Sequence, residues 1–203
     1  MNRWLLTLPM SAALAGCVAD DASVAIGGWL DGAIIGGPQH TPIHVDAAQP
    51  VVRVELYRDG ERIGEAPFAP FVIDWSTTVF PEGPTTLQAL GYLPDGTNVG
   101  GRISVVFDNT PPSIAYFSGV ETGSQVTITV SDNYGVAAVE VDASGKVLRG
   151  LPVEGGFAVT WPFCEAVEAD IVATDQAGWT TTWHTTMDPQ DPTCPKPSAA
   201  SGQ

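Results

Sequence analysis

Basic residues are scarce in this 203-residue chain: Lys and Arg total 8 against 23 Asp and Glu, a formal net charge of −15. A surface that acidic repels phosphate backbones, which excludes nucleic-acid binding. Charged residues of both signs make up only 15% of the chain. Cysteine is scarce too, and three Cys are too few for a miniprotein held together by disulfides. After the first 17 residues no stretch approaches the ~20 apolar residues of a membrane-spanning helix. Apolar residues at helical spacing over a long window are also missing there. What is present is turn-forming material, 22 Gly and 17 Pro, within a 44% hydrophobic composition. That is the composition of a globular, turn-rich chain long enough for one or two domains.

Residues 1–17 read MNRWLLTLPMSAALAGC. Arg3 supplies a positive start, Trp4 to Leu14 a short apolar stretch, and small residues follow, which is the anatomy of a secretory signal. The ending Leu14-Ala15-Gly16-Cys17 resembles the lipobox of bacterial lipoproteins. That resemblance implies cleavage after residue 16 and lipid, including palmitate, on Cys17. Three acyl chains exceed the two signals that stable membrane anchoring requires. In that family an Asp directly after the Cys favours retention in the inner membrane. Here Val18 and Ala19 intervene before Asp20, so the resemblance favours the outer membrane.

The remainder alternates apolar and polar residues with β-branched enrichment, as in Val126-Thr127-Ile128-Thr129-Val130 and the second half of Val51 to Tyr57. Period two predicts half-buried strands. Turn signals punctuate them at Asp59-Gly60, Pro94-Asp95-Gly96, Ser144-Gly145 and Ala177-Gly178, the spacing of a sandwich. The pattern also repeats. Ile43-His44-Val45 and Val51 to Leu56 line up with Ile128-Thr129-Val130 and Val136 to Val141 at a constant spacing of 85 residues (43 to 128, 55 to 140). Phe71 to Trp75 matches Phe157 to Trp161, and Leu87-Gln88-Ala89 matches Ala169-Asp170-Ile171. An ordered series of matches at nearly constant spacing marks tandem duplication.

These segments resemble bacterial immunoglobulin-like repeats over about residues 38–187. The carriers are the hairpin Val54 to Gly64, the Ala69 to Trp75 segment, Pro81-Glu82-Gly83 before Thr86 to Ala89, and the junction Asp108-Asn109-Thr110-Pro111-Pro112. The resemblance implies an all-β chain of two tandem immunoglobulin-like β-sandwiches. The expected division is a signal peptide (1–16), a lipidated start (17–22), domain one (23–108), domain two (109–187) and a Pro/Ser-rich tail (188–203). Two departures stand out. The first copy has Ala47-Ala48 where the second has Asp132-Asn133, and the second replaces Asp-Gly by Ser144-Gly145 in its hairpin.

Several residues are candidates for chemistry. Cys164 and Cys194 are expected to pair, because two thiols in an oxidising envelope compartment most simply form a disulfide. Asp108, Asn109, Asp132, Asn133 and Asp175 lie on three turns that a sandwich gathers at the pole facing domain one. Hard oxygen ligands at a domain junction suit Ca²⁺, as in the cadherin-like repeats that the arrangement resembles, while the same residues also serve as turn caps. Trp179 and Trp183, four apart on a strand, share one face. That face is either a platform for a sugar or protein partner or a cover for the core. His40 and His44 have helical metal-ligand spacing, but Pro42 and the following strand pattern argue for a chance pair. Glu165, Glu168 and His184 form no complete catalytic set, and no Gly-x-Ser-x-Gly, His-Glu-x-x-His or Gly-rich phosphate loop occurs.

The sequence therefore predicts a non-enzymatic, lipid-anchored envelope module for structure, adhesion or partner binding. Its alternatives are glycan recognition through the Trp pair and an accessory role in an envelope enzyme or transport assembly. The expected partners are the membrane, through lipid, and a protein or glycan at the cell surface.

Overall fold

A computed structural model describes residues 22–118 and 125–189, with side chains undescribed at 116–118. Cys17 and the signal segment, Cys194 and most of the Pro/Ser-rich tail lie outside the described residues. The first half of the chain supplies β1 (Ser23–Ile26), β2 (Ala33–Ile35), β3 (Pro38–Asp46), β4 (Arg53–Arg58), β5 (Glu61–Ala66), β6 (Val72–Ser76), β7 (Gly83–Tyr92) and β8 (Asn98–Phe107). A single 3₁₀ turn, Thr77–Val79, follows β6. The second half supplies β9 (Ser113–Ser118), β10 (Gln125–Ser131), β11 (Val136–Ala143), β12 (Lys146–Arg149), β13 (Leu151–Val153), β14 (Gly156–Thr160), β15 (Val167–Asp175) and β16 (Thr180–Met187).

Each half folds as two facing sheets. The first has orders β1-β3-β6 and β2-β8-β7-β4-β5, the second β13-β14-β10-β9 and β12-β11-β15-β16. Without the accessory strands β2 and β13 the two orders are the same, so the repetition in sequence is a repetition in topology. Register follows as well. Leu56 faces Ala89 across β4 and β7, and Val141, 85 residues after Leu56, faces Ile171 across β11 and β15. Among the described residues, the parallel pairing of β2 with β8 occurs in the first half alone.

Alternation builds both cores, because successive strand side chains point to opposite faces. Along β7 the inward Thr85, Leu87, Ala89 and Gly91 are buried. Along β15 the buried set is Val167, Ala169, Ile171, Ala173 and, at the strand's end, Asp175. One core gathers Val54, Leu56, Leu87, Val105 and Phe107, and the other Val126, Ile128, Val141, Trp161 and Ile171. The expected hairpins turn through positive φ at Asp59 and Gly60 and at Ser144 and Gly145. The second copy thus keeps the hairpin, with Ser144 taking the left-handed position that Asp59 takes in the first.

Candidate junction site between the sandwiches

The two sandwiches meet at the end of β8. Asp108 follows Phe107 directly and is fully buried. Asp132 follows β10, and Asp175 closes β15 on its inward face. Strand alternation therefore drives the Asp175 carboxylate into the protein, and Asp108, buried just after the inward Phe107, joins it at the pole where the linker enters. One carboxylate oxygen from each of Asp108, Asp132 and Asp175 lies within 4.8 Å of the others.

Each of these aspartates divides its oxygens in the same way. Asp108 Oδ1 accepts from Thr110 N (3.2 Å), and Asp132 Oδ1 from Tyr134 N and Gly135 N (both 2.8 Å). Asp175 Oδ1 accepts from Trp179 N at 2.9 Å. These are the turn-capping bonds expected of Asp. The second oxygen of all three, Oδ2, is buried and meets no hydrogen-bond donor among the described residues. Burial raises the Asp108 carboxyl above its ordinary value against the opposing Thr110 bond, and the charges of Asp132, Asp175 and Glu82 push it the same way. No Lys, Arg or His side chain forms an ion pair with any of the three among the described residues.

Of the five expected ligands, Asn109 and Asn133 do not join this convergence. The Asn109 amide is spent on domain one, accepting from Thr77 Oγ1 at 2.5 Å and donating to the Thr77 carbonyl at 3.2 Å. Asn133 Nδ2 donates to Glu82 Oε2 at 3.1 Å. Both amides tie the sandwiches together instead of facing the carboxylates. Glu82 is the residue that sequence reasoning missed. Its Oε1 accepts from Asn109 N (2.9 Å) and Thr110 Oγ1 (2.7 Å), so one side chain of domain one bonds to both the linker and the β10–β11 turn. Pro81-Glu82-Gly83 reads as an ordinary repeat turn, and nothing in it announces a neighbour 51 residues away.

Trp179 and Trp183 share one face, and that face points inward. Trp183 packs against the core of domain two. Trp179 donates its indole N–H to the Asp108 carbonyl at 2.8 Å. Its ring lies over Gly36 and Gly37, and a Cβ on Gly36 would sit 2.2 Å from Asp108 O and 2.4 Å from Trp179 Nε1. Trp179 is thus a wedge in the junction, not half of an open stacking platform. Large aromatics gain more from burial at such a seam than from exposure.

The other candidates are dispersed. Cys164 lies in the exposed stretch between Trp161 and β15. Glu168 stands on β15, not in a loop, while Glu165 lies in the bend before it. His184 Nδ1 meets Asp170 Oδ1 across the β15–β16 register, within a shallow recess that Glu168 also lines. His40 pairs with Asp74 on the neighbouring strand at 2.7 Å, with both side chains largely exposed.

A second polar cluster belongs to domain one alone. Glu55 is 6% exposed, yet it sits on the outer face of β4. Its carboxylate accepts from Tyr57 (2.5 Å), Tyr92 (2.7 Å), Arg53 and, more distantly, Arg62 (3.4 Å). The Arg53 guanidinium lies 3.7 Å over the Tyr92 ring. Burial by itself would raise the carboxyl, but the bonds from Tyr57, Tyr92 and Arg53 outweigh it and hold Glu55 at about 2. Every acceptor position faces a donor, so this cluster is a closed structural network.

Comparisons with known proteins agree with this architecture. A family model for a bacterial Ig domain matches residues 23–89. Among solved structures, the fibronectin(III)-like modules of Clostridium thermocellum CbhA are 20% identical, with 83% of this chain and 95% of that chain covered at a TM-score of 0.57. The tandem Ig repeats of Dlar are 12% identical over 85% of this chain and all of that one, at 0.32. A Bacteroides ovatus SGBP-B in complex with mixed-linkage heptasaccharide is 15% identical over 80% of this chain and 44% of that one, at 0.31. At such TM-scores the last two add nothing to the assignment of fold. No curated protein matches the sequence. The chain carries tandem immunoglobulin-like β-sandwiches.

Proposed function

We propose that this protein is a lipid-anchored spacer of the bacterial envelope, holding two immunoglobulin-like sandwiches in one fixed relation so that their faces and loops meet a protein or glycan partner. The observation that carries the reading is the junction itself. Trp179 is bonded to the linker and wedged over Gly36, while Glu82 reaches both the linker and the β10–β11 turn. Two domains on a free linker would move independently by default, and this pair is cross-tied at several points. The Leu14 to Cys17 motif supports attachment through lipid on Cys17, with the outer membrane as destination. A Cys164–Cys194 disulfide belongs to the same reading, since the envelope is oxidising.

The test is metabolic labelling of producing cells with an alkyne fatty acid, followed by fractionation. The full chain is expected in the membrane fraction and labelled, and Cys17→Ala to abolish label and membrane association together. An unlabelled chain, or a Cys17→Ala chain that stays membrane-bound and labelled, would overturn the anchored reading.

A further inference from the structure

We infer that Asp108, Asp132 and Asp175 form a calcium site that locks the two sandwiches together. The site goes beyond the spacer reading and stands whether or not the chain is lipid-anchored.

Two independent observations meet here. The first is convergence: three carboxylate oxygens, from the interdomain linker and two turns of domain two, lie within 4.8 Å of one another. That spread matches the ~5 Å separating opposite oxygens around Ca²⁺ at 2.3–2.6 Å. The second is the state of the oxygens. Asp108 is 0% and Asp175 2% exposed, and the Oδ2 atoms of all three aspartates are buried without a donor. A buried anionic oxygen without a partner is costly, and three together repel one another. One hard cation would answer both costs.

The donor set selects the ion. All three ligands are carboxylate oxygens, with no imidazole or thiolate among them, which favours Ca²⁺ or Mg²⁺ over Zn²⁺. The ligands sit on separate turns, each fixed by its own backbone bonds. Such irregular geometry suits Ca²⁺, while Mg²⁺ demands near-ideal octahedral order at shorter distances. The locking role follows from where the ligands sit. Asp108 belongs to the chain entering from domain one, its carbonyl holds the Trp179 indole, and Asp132 and Asp175 belong to domain two. The ion would tie the linker to the domain that follows it.

The experiment uses the full chain, freed of divalent ions by EDTA and dialysis. Titration calorimetry with CaCl₂ is expected to show one ion per chain. Thermal unfolding in Ca²⁺ at ten times the measured Kd is expected to rise by a few degrees over EDTA, with a clearly smaller response to equal Mg²⁺. Asp175→Asn keeps the oxygen that caps Trp179 N and removes one charge. It is expected to lose the Ca²⁺ response while unfolding in EDTA at or above the wild-type midpoint, because repulsion is relieved. Asp132→Asn, at a less buried position, is the second variant, expected to weaken binding at least tenfold. No heat and no thermal shift at 10 mM CaCl₂ would overturn the site, as would either variant keeping the full response. An equal response to Mg²⁺ would overturn the assignment to calcium.

Discussion

The two sandwiches share topology and register, yet they spend their polar residues in different places. Domain one buries Glu55 on an outer sheet face under two tyrosines and two arginines. Its counterpart 85 residues later, Glu140, is 46% exposed at the side chain and pairs only with Arg149, at 3.2 Å, among the described residues. Domain two gathers the half-buried Asp132 and the buried Asp175 at its linker pole, where the register of domain one places Ala47 and Leu93. The repeated scaffold therefore does not dictate either cluster. The acidic one stands only at the pole where a second domain adjoins, which ties it to the junction and not to the fold.

Acid should separate the copies most sharply. Glu55 titrates at about 2 in the folded chain against an ordinary value of 4.5. A carboxyl depressed by folding contributes stability that is complete above its unfolded pKa and is lost as pH falls toward the folded one. Domain one is therefore expected to lose roughly 3 kcal/mol from this group between about pH 4.5 and pH 2. Glu55→Gln should be less stable at pH 7 and shallower through that window. Urea denaturation across the pH range measures both, and parallel acid limbs for the wild type and Glu55→Gln would break the contrast.

Next in size is the seam. Gly36 has no positive φ to make a side chain strained there, so Gly36→Ala acts through sterics alone, its Cβ landing on Asp108 O and Trp179 Nε1. Overpacking of this kind costs roughly 1–3 kcal/mol. Because neither core is touched, the loss should appear as uncoupling. One cooperative transition should split into two, with a change in indole fluorescence from Trp179. An unsplit transition at the wild-type midpoint would mean that the contact does not couple the domains.

Much of this was legible in the sequence because it is local. Period-two alternation located the strands, constant spacing exposed the duplication, and Asp-bearing turns at strand ends placed Asp108, Asp132 and Asp175 at one pole. What was hidden depends on how one sandwich sits on the other. The outward amides of Asn109 and Asn133, the reach of Glu82 and the burial of Trp179 against Gly36 are contacts between segments far apart in sequence. No local period encodes them. Ser144 illustrates a smaller gap: Asp-Gly signals a hairpin strongly, but Ser-Gly folded into the same turn once register and flanking strands demanded it.

The smallest contrast lies between the matching tryptophans. Trp75 donates its indole N–H to Thr41 Oγ1 at 2.8 Å, and Thr41 is itself fully buried. Trp161 is fully buried and finds no partner for Nε1 among the described residues, its ring at 5.0 Å from Phe163. Replacement by Phe removes volume at both sites but has opposite polar consequences. At position 75 it strands a buried hydroxyl, at a cost of roughly 1–3 kcal/mol for the unsatisfied group. At position 161 it removes an N–H that was already unsatisfied, which offsets part of the cavity left by the smaller ring. Trp75→Phe is therefore expected to cost more than Trp161→Phe by about 1 kcal/mol, although Trp161 is the more deeply buried of the two. Equal losses in urea denaturation would mean that burial, not hydrogen bonding, ranks the two positions.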